Sequence, residues 1–176
     1  MSDFSNALRA ATVTALTGGL ALAGGPPASA DPAITGSPSD INTLAASLSK
    51  GYDLNNCTAQ NIDRSTQLAV FTCGQSPDPR GPVQAKYVLF NNADNLATSF
   101  KATIKEDVLT PCGDANQSPS NWHKDGSTTS AGQAACGTYR NGAEIIWTTD
   151  ANNTLSYLRS SNTDVAALYQ WWRANG

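Results

Sequence analysis

The chain has 176 residues, 14 acidic against 11 basic side chains, a formal net charge of −3 and charged residues at 14%, where soluble domains carry roughly a quarter. That length holds one ordinary domain, or one domain with a processing segment. The basic residues stand singly from Arg9 to Arg173, which argues against a nucleic-acid partner, because gripping a phosphate backbone takes a clustered Lys/Arg surface.

Residues 1–30 read as a secretory signal peptide. Arg9 precedes an apolar run from Ala10 to Gly25 that is too short and Gly-rich to span a bilayer, which needs about 20 apolar residues. Pro26-Pro27 breaks the run, and Ala28-Ser29-Ala30 supplies the small residues that precede a signal-peptidase cut. The expectation is export to the cell envelope or the medium, with no membrane span after processing. Residues 31–39 (DPAITGSPS) read as a flexible leader, and residues 40–176 as a single disulfide-stapled domain.

A helix is predicted from Ser39 or Asp40, with Ile41, Leu44, Ala45 and Leu48 on one stripe and a stop at Gly51. Gln67–Cys73 and Val83–Phe90 read as strands on either side of the breaker SPDPRGP. Asn91–Asp94 caps a second helix with Leu96, Ala97, Phe100 and Ile104 as its stripe. A long polar stretch, Gly113–Ser130, holds Trp122 and His123. Gly132–Arg140 and Ala143–Thr149 flank Asn141-Gly142, a strong hairpin signal because both turn positions need φ > 0. Thr154–Ser160 is a further strand, and Asn162 or Thr163 caps a last helix with Val165, Leu168, Tyr169 and Trp172. The order α-β-β-α-β-β-β-α predicts an α+β fold: a two-layer sandwich with an antiparallel sheet of about five strands and helices mainly on one face.

Cys57, Cys73, Cys112 and Cys136 all follow the export segment. An even count in an exported chain reads as a disulfide framework. With no C-x-x-C pair and a single His, neither a tetrahedral zinc site nor a redox motif fits. Of three connectivities the sequence-local one is favoured, Cys57–Cys73 with Cys112–Cys136, since each bridge closes an irregular segment and contributes about 3 kcal/mol on the chain-entropy account.

No phosphate-binding loop, dinucleotide fingerprint, metalloprotease helix, nucleophile elbow or protein-kinase motif occurs. No cofactor, metal site or catalytic residue is assigned. A small hydrolase would have to use His123 with an Asp, and nothing in the sequence orients that His. Trp147 and Trp172 read as core partners, whereas adjacent Trp171 and Trp172 lie about 100° apart on a helix, so one should be partly exposed unless the tail covers it. Trp122 and His123 are the candidate ligand-binding residues, because long loops without secondary structure are often functional. The plainer reading makes Trp122 an inward plug and His123 a solvated side chain.

The set YDLNNC (Tyr52–Cys57), TCGQSPDPRGP (Thr72–Pro82), Pro111-Cys112, SPSNWH (Ser118–His123), ACGTY (Ala135–Tyr139) and LYQWW (Leu168–Trp172) resembles a group of small secreted mycobacterial proteins. These are weakly similar to the extracytoplasmic sensor portion of serine/threonine protein kinases. The resemblance implies an exported, disulfide-stapled domain with a sensor-like or ligand-binding role, and no kinase activity. The leading expectation is therefore a non-catalytic binding module for a small molecule, glycan or envelope protein. The alternatives are the hydrolase using His123 and a secreted protein-interaction factor working through its C-terminal helix.

Overall fold

A computed structural model describes residues 35–176; the signal peptide read over 1–30 and leader residues 31–34 lie outside the described residues. The elements are α1 (Pro38–Ala45), β1 (Cys57–Ala59), β2 (Gln67–Cys73), β3 (Gln84–Phe90), α2 (Ala93–Thr103), β4 (Val108–Thr110), β5 (Ser120–His123), β6 (Ser130–Tyr139), β7 (Gly142–Thr149), β8 (Thr154–Arg159) and α3 (Val165–Asn175), with 3-10 turns at Ile104–Glu106 and Asp150–Asn152. The strands form one antiparallel sheet in the order β1-β2-β3-β8-β7-β6-β4, and β5 also pairs with β6. The sheet thus has eight strands where about five were expected. The three additions, β1, β4 and β5, are three or four residues long, too short to show a period of two in sequence.

Strand alternation divides the core into two layers of contact. Phe71, Tyr87, Ile145 and Leu158 point to one face and pack under α1 and α3. Val70, Val88, Phe90, Ile146 and Leu155 point to the other, where Leu96 and Phe100 of α2 cover them. Two helices share one face, but α2 adds a third layer that the two-layer expectation lacked. The cause is topological: α2 carries the chain from β3 in mid-sheet to β4 at the far edge, and its apolar stripe must be buried on the way.

Local chemistry sets the boundaries. Ser37 caps α1, its Oγ accepting from the Asp40 amide at 3.2 Å, and Pro38 opens the helix, so α1 starts before the expected Ser39 and ends at Ala45 rather than running on toward Gly51. Asp164, not Asn162 or Thr163, caps α3 by accepting from the Ala167 amide at 2.9 Å. At the β6–β7 hairpin the positive-φ pair is Arg140 (43°) and Asn141 (66°), one residue earlier than Asn141-Gly142. Gly142 instead opens β7 because a Cβ there would lie 2.8 Å from the Arg159 guanidinium.

Both disulfides have the expected pairing. Cys57–Cys73 joins directly opposed residues of β1 and β2, and Cys112–Cys136 ties the segment after β4 to β6. Trp147 and Trp172 are core partners with ring centroids 5.6 Å apart. Trp171 departs from expectation: both it and Trp172 are buried. The SPDPRGP loop covers Trp171, whose indole N–H donates to Asp78 Oδ2 at 3.1 Å, so the breaker segment acts as a lid on the core rather than a mere turn.

Candidate functional site

The polar stretch after Cys112 is not a free loop. Ser120–His123 forms β5 against the first half of β6, with Trp122 opposite Gly132 and a register irregularity between Trp122 and His123. Ser118 Oγ holds the approach, accepting from the Cys136 amide at 3.0 Å beside the disulfide. A Cβ at residue 132 would sit 2.2 Å from the Thr148 carbonyl, and that same carbonyl accepts the Trp122 indole N–H at 2.7 Å. Gly132 therefore keeps the strand close enough for the indole to reach across it. Trp122 is half-buried and meets Trp172 edge to face, centroids 5.7 Å apart.

His123, one residue on, faces solvent. Among the described residues no hydrogen bond to its imidazole occurs; only its backbone carbonyl is engaged, by Arg173 Nη1 at 3.3 Å. The carboxylate beside it, Asp125, is taken by Arg173 Nη2 at 2.7 Å. The sequence brought Trp122 and His123 together as chain neighbours, and the structure separates their jobs: one is docked on the core and the other is open.

Between the β5–β6 loop and the last turns of α3 runs a two-lobed cleft. The larger lobe, about 330 Å³, reaches from the Cys112 disulfide past Asp114 and Tyr169. The smaller, about 180 Å³, ends at Gly176. Both share Trp122, His123, Lys124, Asp125, Trp172 and Arg173 as walls. The larger lobe alone falls at the low end of the size range of small-ligand pockets. Arg173 lies over the Trp172 ring at 6.0 Å. Trp172 itself is 3% exposed, and its indole N–H finds no acceptor. Tyr169, Trp172 and Arg173 were legible only as helix residues; that α3 delivers them to the face of β5 required the fold.

A second polar constellation, missed by sequence reasoning, lies on the opposite sheet face. Glu144 on β7, 3% exposed, pairs with Arg159 on β8 and accepts from the Tyr157 hydroxyl at 2.7 Å. Arg159 also donates to the Tyr139 carbonyl at 2.8 Å. Burial raises the Glu144 pKa against the lowering effect of Tyr157 and Arg159. Burial, followed by the Glu144 charge, pushes Asp107 up to about 6, and its Oδ2 has no partner. The available signal was Glu144 in the run AEIIW, a charge amid inward-facing apolar residues.

Among the described residues no group of three metal-ligating side chains occurs, and no helix is long and apolar enough to cross a membrane. The two disulfides fit an extracellular protein. Compared with known proteins, the chain matches no protein family, no curated protein and no solved structure.

Proposed function

We propose that this chain is an exported, non-catalytic binding module of the cell envelope or extracellular space, taking a small polar ligand of the glycan class in the cleft between β5 and α3. The observation that carries this reading is the cleft itself: half-buried aromatic edges from Trp122 and Tyr169 beside Asn121, Asp114, Lys124 and Arg173. Rings flanked by hydrogen-bonding groups suit a sugar, whose C–H face and hydroxyls need both. The Cys112–Cys136 bridge and the Ser118 bonds anchor one wall, which lowers the ordering cost of binding. The resemblance to extracytoplasmic sensor portions accords with the same role.

The hydrolase reading is weaker because a general base needs an orienting partner, and Asp125 turns to Arg173 instead of His123. The interaction-factor reading is weaker because α3 buries Leu168, Trp171 and Trp172, leaving Ala166, Ala167, Gln170 and Arg173 outward. A thermal-shift and tryptophan-fluorescence screen against envelope glycans and peptidoglycan fragments tests the proposal. A binding glycan at a hundredfold excess over its Kd should add about 2.7 kcal/mol of stability, and Trp122→Ala should abolish the response. A panel in which no glycan shifts the transition, or one whose response survives Trp122→Ala, would defeat it.

A further inference from the structure

Arg173 crosses the cleft. It leaves the last turn of α3 and reaches the opposite wall, where Nη1 donates to the His123 carbonyl at 3.3 Å and Nη2 to Asp125 Oδ1 at 2.7 Å. On the way its guanidinium lies over the ring of buried Trp172, 6.0 Å from the centroid. The residue lines both lobes, and its side chain is still 37% exposed. It is therefore a saddle between two hollows, bedded on an indole. A guanidinium carries five N–H donors. Two go to the loop, and among the described residues the others meet no protein acceptor.

The side-chain charges around this saddle cancel. Asp114 and Asp125 stand against Lys124 and Arg173 in the cleft walls, so no excess of either sign favours a charged ligand. Donors left over by an ion pair that is already balanced suit ether and hydroxyl oxygens, which accept without bringing a charge. The aromatic wall is continuous as well. Trp122 lines both lobes, whereas Tyr169 lines only the larger, and their rings lie 5.7 Å and 5.6 Å from that of Trp172. A ligand confined to the larger lobe would leave part of Trp122 and one flank of Arg173 uncovered.

Resting on the binding-module reading, we propose that the ligand is a neutral linear oligosaccharide that crosses the Arg173 saddle with one ring in each lobe. One ring lies in the larger lobe against Tyr169 and Trp122, and the next follows Trp122 into the smaller lobe of about 180 Å³. Arg173 donates to the oxygens where the two rings join, and so selects a chain over a single sugar. The ligand takes the remaining donors, so neither the Asp125 nor the His123 contact has to break. Those two contacts order the long side chain before the ligand arrives, which lowers the cost of binding.

Three neutral series vary ring number at constant charge: glucose with its β-1,4 dimer and trimer, glucose with its α-1,4 dimer and trimer, and N-acetylglucosamine with its β-1,4 dimer and trimer. Calorimetry on the disulfide-bonded protein gives each Kd. In at least one series the dimer should bind at least about tenfold tighter than the monomer, equally at low and high salt. Arg173→Met keeps an apolar stem over Trp172 but removes the donors, and should bring the dimer to the level of the monomer while urea unfolding records an intact fold. Arg173→Lys keeps the charge and loses the planar fork, and should lower the dimer-to-monomer ratio severalfold. Equal binding of one, two and three rings, or a gain that Arg173→Met leaves intact, overturns the inference and leaves the binding module standing. If no series binds, the inference also falls, and the wider glycan panel decides the module separately.

Discussion

Two polar constellations sit on opposite faces of one sheet, and each holds a buried group that lacks a partner. On the α2 face the group is Asp107, beside the Glu144–Arg159 pair; on the α3 face it is the Trp172 indole. A carboxyl can relieve its own burial by keeping a proton, which is what the upward shift of Asp107 amounts to. An indole has no such outlet, since its N–H neither ionises nor accepts in this pH range. Below about pH 6 the Asp107 carboxyl relieves itself with a solvent proton, whereas the Trp172 indole cannot.

The largest expected effect tests the first half of that comparison. Glu144→Ala removes one partner of a buried ion pair and leaves Arg159 and the Tyr157 hydroxyl facing an empty site. Breaking such a pair costs about 3–5 kcal/mol. The lower end is expected, because the Arg159 side chain keeps 21% exposure and can hydrate. Urea unfolding should record that loss while glycan binding is unchanged. Unchanged stability with weakened binding would mean that the α2 face, too, is a site. The paired change Cys112→Ser with Cys136→Ser comes next, at about 3 kcal/mol on the chain-entropy account. Unlike Glu144→Ala it should also weaken binding, because the bridge anchors the larger lobe.

The same contrast explains what could be read from residues alone. Strands β2, β3, β6, β7 and β8 are six to ten residues long, so alternation or a dense β-branched run declared them. The bridges were legible because each closes a short sequence interval. Trp122 and His123 were legible as an aromatic and a titratable group in a polar stretch. Hidden from sequence was everything set by pairing across the chain. Examples are β5 and β4 on the edge of β6, Arg173 meeting Asp125 from 48 residues away, and Glu144 meeting Arg159 across two strands. The hairpin was misplaced by one residue because a glycine needed for room at Arg159 looks the same in sequence as a glycine needed for positive φ.

Trp122→Ala probes the boundary between docking and binding. A fully buried Trp truncated to Ala costs about 3–5 kcal/mol; Trp122 is only half-buried, with one indole hydrogen bond and one edge-to-face contact. About 2 kcal/mol is the expected loss, together with loss of glycan binding. A loss of the full core magnitude with binding retained would make Trp122 a plug alone and defeat the cleft as the glycan site.

The smallest effect isolates Asp107. Its carboxyl is partly buried and faces Glu144, Glu106 and Arg159; burial is the main cause that carries its pKa to about 6, from 3.8 for a free Asp side chain. Because the folded value lies above the unfolded one, the folded protein holds this proton more tightly than the unfolded chain between about pH 4 and 6. The group's contribution to stability is thus fully present below about pH 4 and is lost as pH rises through 6. A shift of that size corresponds to roughly 3 kcal/mol for a dry site, and water reaching the carboxyl reduces it to about 1 kcal/mol. Asp107→Asn replaces the acid by a neutral isostere, so it should be about 1 kcal/mol more stable than the parent at pH 7.5 and equal to it at pH 4. Urea unfolding at four pH values would trace that difference, to which Glu144 also contributes through its charge beside Asp107. A difference that does not change with pH would mean that burial leaves the Asp107 carboxylate as well stabilised as water does, so that the α2 face holds no group in need of relief.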